Sequence, residues 1–291
     1  MTLNTNLLIC AALFPAIALC IYVFRKDRVD KEPLDLLIKL FVLGVVSCFP
    51  AAMLEEMLIG MIDKIFSAFT LATDGEYYFT SAMYRIYTAI EYFIGVALVE
   101  EGLKWLILFF VTRRNRNFNS LFDGLIYAVF VSLGFAALEN VFYVLEYGWG
   151  NALMRAVMSV PGHMFFAVLM GYYYSLWHMY EKAGSQEHLL KELGHLPGDA
   201  KEFSGRRFIF LSLLIPILAH GWYNYCCTID TLIAAVMLCA FLIFLYIYCF
   251  GKIRRMSKDD ADDNTYATAM VIKKYPQLRE LLRTAKEQNK Q

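Results

Sequence analysis

Four apolar stretches of this chain carry side chains that ordinary membrane helices avoid. The first reads IYTAIEYFIGVALVEEGLKWLILFFV over residues 86–111 and holds Glu100, Glu101 and Lys104 near its middle. The next three contain Glu139-Asn140, then His163 directly after Pro161-Gly162, then His220 with Asn224. Carboxylates and imidazoles can take a proton from water, and amides and imidazoles can donate to an oxyanion as it forms, so the set suits hydrolysis. Two histidines and a carboxylate, here His163, His220 and Glu100, also make a recognised zinc set with a position open for water. Intramembrane carboxylates and histidines serve proton relays as well, so an ion- or proton-coupled transporter is the alternative from another functional class. Against that alternative, the chain shows no inverted repeat.

Helix geometry restricts which of these groups can meet. Glu100 and Lys104 are four residues apart and Glu101 and Lys104 three, so Lys104 is expected to neutralise one carboxylate and leave the other free. His220 and Asn224, also four apart, point into the same interior volume. Three glutamates and Lys104 left unpaired in hydrocarbon would cost on the order of 10 kcal/mol, comparable to the net stability of a domain. They must therefore face inward and meet one another. Pro216, four residues before His220, and Pro161-Gly162 beside His163 are expected to bend their helices where the backbone lines a cavity. Glu55-Glu56 is another glutamate pair, but with Gly60 rather than Lys four residues after Glu56 it reads as interfacial.

The elements that must position these groups follow from composition. Of 291 residues 59% are hydrophobic and 19% charged, and mean hydropathy is +0.47. Soluble domains average near 45–50% apolar and about 25% charged, so this is a membrane chain. Its 27 basic and 27 acidic residues leave no net field to attract nucleic acid. Seven stretches are long enough to span a bilayer: Leu7–Phe24, Leu36–Leu54, Ile86–Val111, Leu121–Leu145, Ala152–Tyr180, Phe208–Cys227 and Thr231–Phe250. The expected fold is an all-α polytopic helical bundle of about seven transmembrane helices.

Arg25/Lys26/Arg28/Lys31, Arg113/Arg114/Arg116, Lys182/Lys191/Lys201/Arg206/Arg207 and Lys252/Arg254/Arg255 fall on one side, against Lys64, Arg85 and Arg155 on the other. That asymmetry places the N-terminus outside and the C-terminus in the cytoplasm. The site residues then converge in the outer half of the bundle, in a cavity reached from outside. Residues 1–250 read as the membrane domain, with its core at 36–250, and 251–291 as a cytoplasmic tail. The tail is expected to be frayed, with a short amphipathic helix at Leu278–Ala285 as the alternative. Met57–Phe69 reads as a helix lying in the outer interface, with a lid over an opening among the spans as the alternative. The seven cysteines lie within spans and show no CxxC spacing, so neither a disulfide framework nor a thiolate metal site is expected.

The ordered motifs carry a resemblance. Glu100-Glu101-Gly-Leu-Lys104 matches EExxK, Phe135-Ala-Ala-Leu-Glu139-Asn140 matches FxxxEN, His163 with Gly171 matches HxxxxxxxG, and His220 with Asn224 matches HxxxN. In this order on consecutive spans, Leu36 to Phe250 resembles the PrsW family of intramembrane proteases. That family belongs to a group that includes the CAAX prenyl endopeptidases and bacteriocin-processing enzymes. The CAAX endopeptidases usually show EExxxR, so the lysine at the shorter spacing favours the PrsW branch. The resemblance implies a bacterial cell-membrane peptidase that cuts a single-pass, membrane-tethered protein. In several bacteria that substrate is an anti-sigma factor, whose first cut starts an envelope stress response.

On this reading Glu100 or Glu101 activates water, and His163 shares that water. His220 and Asn224 donate to the oxyanion. Glu139 and Asn140 orient the histidines or line the channel, and Lys104 holds the unused carboxylate. Because HExxH is absent and Glu and Asn outnumber good zinc ligands, metal-free water activation is slightly preferred over zinc, and the cofactor question stays open.

Overall fold

The computed structural model describes residues 3–28, 31–73, 76–260 and 262–279. The chain is helical: α1 (Leu3–Phe24), α2 (Leu34–Phe66), α3 (Ser81–Ile90), a π-helical segment at Glu91–Ala97, α4 (Leu98–Thr112), α5 (Asp123–Val157), α6 (Ser159–Glu192), α7 (Arg206–Thr228), α8 (Leu232–Lys258) and α9 (Asp263–Lys274). Between α2 and α3 lies a small antiparallel hairpin, β1 (Leu71–Thr73) and β2 (Glu76–Tyr78), with Leu71 opposite Tyr78.

α5 is the axis of the bundle. Every residue from Asp123 to Ala137 is buried, which a helix achieves only when it is apolar around its whole circumference and enclosed by others. α1, α2 and α6 pack against it. Gly171 explains its own place in the sequence pattern: a Cβ there would stand 2.5 Å from the carbonyl oxygen of Gly124, so the glycine is what lets α6 approach α5.

Among the described residues, five helical stretches are long and apolar enough to cross a membrane: Leu3–Phe24, Leu34–Phe69, Asp123–Glu192, Arg206–Thr228 and Leu232–Lys258. One of them, Asp123–Glu192, comprises both α5 and α6. The expected span Ile86–Val111 is not one uninterrupted α-helix, because the chain changes to i→i+5 pairing over Glu91–Ala97 before α4 begins. The expected span Ala152–Tyr180 also straddles a break. Its first residues belong to the end of α5, and α6 starts afresh at Ser159 after Met158 (φ −108°, ψ −61°). Pro161 therefore lies in the first turn of α6, where its missing N–H leaves no helical bond unmade, and it starts this helix rather than bending it.

Two further expectations are corrected. Met57–Phe69 is not a separate interfacial helix: Met57–Phe66 continues α2 without interruption, and Ser67–Phe69 adds a 3-10 turn. The 33 residues of α2 span about 50 Å, well beyond a hydrocarbon core of ~30 Å. The segment after α8 is not frayed as far as Arg279. Ala267, Val271 and Leu278 pack with Ala183 and Leu196, and Lys274 Nζ pairs with Glu187 Oε1 at 2.6 Å, so α9 docks on α6. The alternative helix at Leu278–Ala285 falls mostly outside the described residues. All seven cysteines are free thiols.

Candidate active site

The first turn of α4 presents Glu100 and Glu101, and Lys104 follows one turn later. Glu101 and Lys104 are wholly buried and Glu100 is 5% exposed. Lys104 does not choose between the carboxylates. Its Nζ donates to Glu100 Oε2 at 2.9 Å, to Glu101 Oε1 at 2.8 Å and to His163 Nδ1 at 3.2 Å. It also lies 4.1 Å from the centre of the Phe135 ring, whose negative face is a further site for a cation.

The partners fix the two imidazoles. A carboxylate can only accept, so His163 Nε2 donates to Glu139 Oε2 at 3.0 Å, which leaves Nδ1 as the acceptor facing Lys104. By the same reasoning His220 Nδ1 donates to Glu101 Oε1 at 2.9 Å and its Nε2 edge is the free one. The rings stand edge to face, 5.3 Å between centroids, and Phe166 stacks on His220 at 4.9 Å. Ser132 Oγ, from α5, donates to the backbone carbonyl of His163 at 2.9 Å and fixes the start of α6 against α5.

These groups open on a cavity of about 560 Å³ walled by α2, the π-helical segment, α4, α5, α6 and α7. Glu100, Glu139, His163, His220 and Asn224 line it, as do Tyr92, Phe142, Tyr143 and Tyr223. Glu101 and Lys104 are among the buried groups beneath that wall. Glu100 is thus the carboxylate that reaches the cavity, and Glu101 is the one that anchors Lys104 and His220. Asn140 does neither of the things expected of it: its Nδ2 donates to the Ala12 carbonyl of α1 at 2.8 Å and its Oδ1 accepts from Arg155. Glu139 bonds one of the histidines, its Oε2 accepting from His163 Nε2.

Two groups escaped the sequence reading. Glu55, taken as interfacial, lies on the cavity wall with Glu100 and Glu139, because α2 continues past the apolar run that was expected to end it. Arg155, counted among loop cations, also lines the cavity, and its Nη2 donates to Glu139 Oε2 at 2.8 Å. The available signal for Arg155 was weak: a lone cation among apolar residues shortly after Tyr147-Gly148-Trp149-Gly150.

The site also meets the requirements of a metal ion in donor chemistry. One ligand atom from each of Glu100, Glu101, His163 and His220 lies within 4.8 Å of the others, and two imidazoles with two carboxylates are a set that zinc accepts. Three of those residues direct atoms at the Lys104 ammonium, so an ion drawing on the same atoms would require Lys104 Nζ to withdraw.

Comparison with known proteins covers the part of the chain that holds these residues. The profile described as PrsW family intramembrane metalloprotease matches residues 32–250. Proteins named Protease PrsW are similar over most of their length. That of Clostridioides difficile is 31% identical over 84% of this chain and 89% of its own, that of Bacillus subtilis 30% over 85% and 94%, and that of Oceanobacillus iheyensis 28% over 86% and 95%. No solved structure matches the chain. With the profile covering every helix that contributes to the cavity, and a relative 31% identical over most of both chains, this chain belongs to the PrsW family of intramembrane proteases.

Proposed function

We propose that this multi-pass membrane peptidase hydrolyses its substrate with water activated by Glu100. One observation carries this reading: Glu100 shares the cavity wall with His163, His220 and Asn224, while its Oε2 is held by Lys104. A carboxylate held on one oxygen and open on the other can take the proton of an attacking water and return it to the leaving amine. His163, held between Glu139 and Lys104, forms the wall beside that water and keeps Lys104 aimed at the carboxylates. The Asn224 amide donates to the oxyanion, and His220, its Nδ1–H held by Glu101, lines the cavity beside it. Lys104 holds both carboxylates in place.

Where an ion is bound, Glu100, Glu101, His163 and His220 would hold it, and it would supply Lewis acidity and a more acidic water. Chelation followed by zinc add-back on purified protein decides between the two forms of water activation. Full activity in metal-free buffer removes the zinc form, and activity restored only by zinc removes the metal-free one.

The substrate we infer is a single-pass membrane protein, an anti-sigma factor receiving its first cut in a stress-signalling cascade. Support comes from the ordered motifs, whose resemblance implies that substrate class. The cavity opens among the C-terminal halves of α2, α5 and α7 and the N-terminal end of α4, which is the end of the bundle poor in Lys and Arg. With the N-terminus outside, that end faces outward. A transporter is not favoured for a member of a protease family. The test is a comparison of membrane-protein fragments from cells with the parent chain and with Glu100→Ala. A fragment that depends on Glu100 identifies the substrate, and identical fragment sets sink the proposal.

A further inference from the structure

Arg155 reaches the site by an unusual route. Gly148 has φ 77° and ψ −161°, a region open to glycine alone, so the helix of α5 breaks there and resumes in another direction. The resumed segment brings Arg155 back over Glu139, sixteen residues earlier in the same element. There the guanidinium makes three contacts at once. Nη2 donates to Glu139 Oε2 at 2.8 Å, Nε donates to Asn140 Oδ1 at 2.8 Å, and the plane lies 4.0 Å from the Tyr143 ring centre. Asn140 is in turn tied to the Ala12 carbonyl, which anchors the guanidinium to α1. The Glu139 oxygen that Arg155 holds is the one that accepts from His163 Nε2.

We infer that Arg155 is a positioning residue for His163: by fixing the Glu139 carboxylate it sets the proton of His163 on Nε2 and turns Nδ1 toward Lys104. This rests on the peptidase reading above for its effect on rate, and on geometry alone for its effect on the ring. Without Arg155, Glu139 has one fewer fixed donor and can rotate, and the imidazole loses the acceptor that selects its tautomer. Partners that orient a histidine in this indirect way change activity by about 10- to 100-fold when removed. Arg155 touches no reacting atom in this scheme, so its loss belongs in kcat and not in KM.

The experiment compares the purified full chain with Arg155→Ala, Arg155→Lys, Glu139→Gln and the Arg155→Ala/Glu139→Gln double variant. Arg155→Ala should lower kcat about 10- to 100-fold with KM little changed, and millimolar guanidinium chloride should recover several-fold of that loss. Arg155→Lys should fall between parent and Arg155→Ala. The double variant should be no worse than the more damaging single one, since both act through one contact. Nitrogen-15 histidine spectra, with His163 assigned by its absence in His163→Gln, should show a single Nε2–H tautomer in the parent and an averaged ring in Arg155→Ala. Parental kcat in Arg155→Ala, a loss confined to KM, a loss that guanidinium cannot recover, or an unchanged His163 tautomer overturns the inference. A parent that cleaves nothing defeats the peptidase reading instead, and the tautomer comparison still decides the role of Arg155.

Discussion

Two of the regions that bury carboxylates handle them differently. At the cavity, Glu100 and Glu101 meet an ammonium and two imidazoles, and one of the carboxylates opens on free volume. At the opposite end, Asp27, Glu32 and Asp123 are buried among hydroxyls and backbone N–H groups. Asp123 accepts from Asn119 N at 2.8 Å, Ser120 N at 2.6 Å and Ser120 Oγ at 2.6 Å; Asp260 accepts from Phe122 N at 3.2 Å; Tyr127 donates to Glu32. This second cluster ties the α1–α2 connection, the α4–α5 loop and the α8–α9 link together. Burial of acids is thus no mark of chemistry in itself. What marks the first region is that its acids meet an ammonium and two imidazoles along a cavity wall.

Substitutions can break that contrast. The largest effect is expected from Glu100→Gln, which preserves shape and an acceptor for Lys104 but removes the proton acceptor on the cavity wall. Cleavage should fall by about a thousandfold or more, at least ~4 kcal/mol of barrier, with the unfolding temperature near that of the parent. Cleavage that survives Glu100→Gln would move the base elsewhere. Next is Lys104→Met, which leaves two buried carboxylates without their shared cation and should destabilise the fold by about 3–5 kcal/mol. Thermal unfolding in detergent reads this directly, and a variant as stable as the parent would mean that the two carboxylates do not depend on Lys104.

Much of the first region was legible because its spacing is helical. EExxK and HxxxN each put their members on one face, and the cost of lone charges in hydrocarbon required those faces to meet. Glu55 and Arg155 were not legible, for a shared reason. Their roles depend on where helices continue and how they resume: α2 runs on through a less apolar stretch, and α5 breaks at Gly148 between two expected spans, where hydropathy marks the gap but not the direction in which the helix resumes. The π-helical segment is hidden likewise, since Glu91–Ala97 has ordinary span composition and its packing against α2 and α7 is tertiary. Spacing permits Lys104 to reach both glutamates, at i,i+4 and i,i+3, but it could not show that His163 of α6 would bring Nδ1 to the same ammonium.

The second region gives the smaller effects. Asp123→Ala removes the acceptor of three hydrogen bonds and should cost about 2 kcal/mol of stability, while cleavage per folded molecule stays at the parental level. A folded Asp123→Ala chain that has lost cleavage would show that the two regions are coupled and the contrast false. Glu32 sharpens the same point through pH. Enclosed in the α1–α2 connection beside Tyr127, Asp123 and Asp27, its carboxyl is pushed up from 4.5 to about 9, chiefly by burial and then by the Asp123 charge. The folded state therefore binds a proton that the unfolded chain has released, and stability from this group is present below pH 4.5 and lost as pH rises toward 9. Glu32→Gln keeps the neutral form at every pH. It should be stabilising on the order of 1 kcal/mol at neutral pH and neutral in acid, visible as a flatter dependence of unfolding temperature on pH. A slope equal to the parent's would mean that Glu32 is ionised in the folded chain, and that this sealed cluster holds a charge after all.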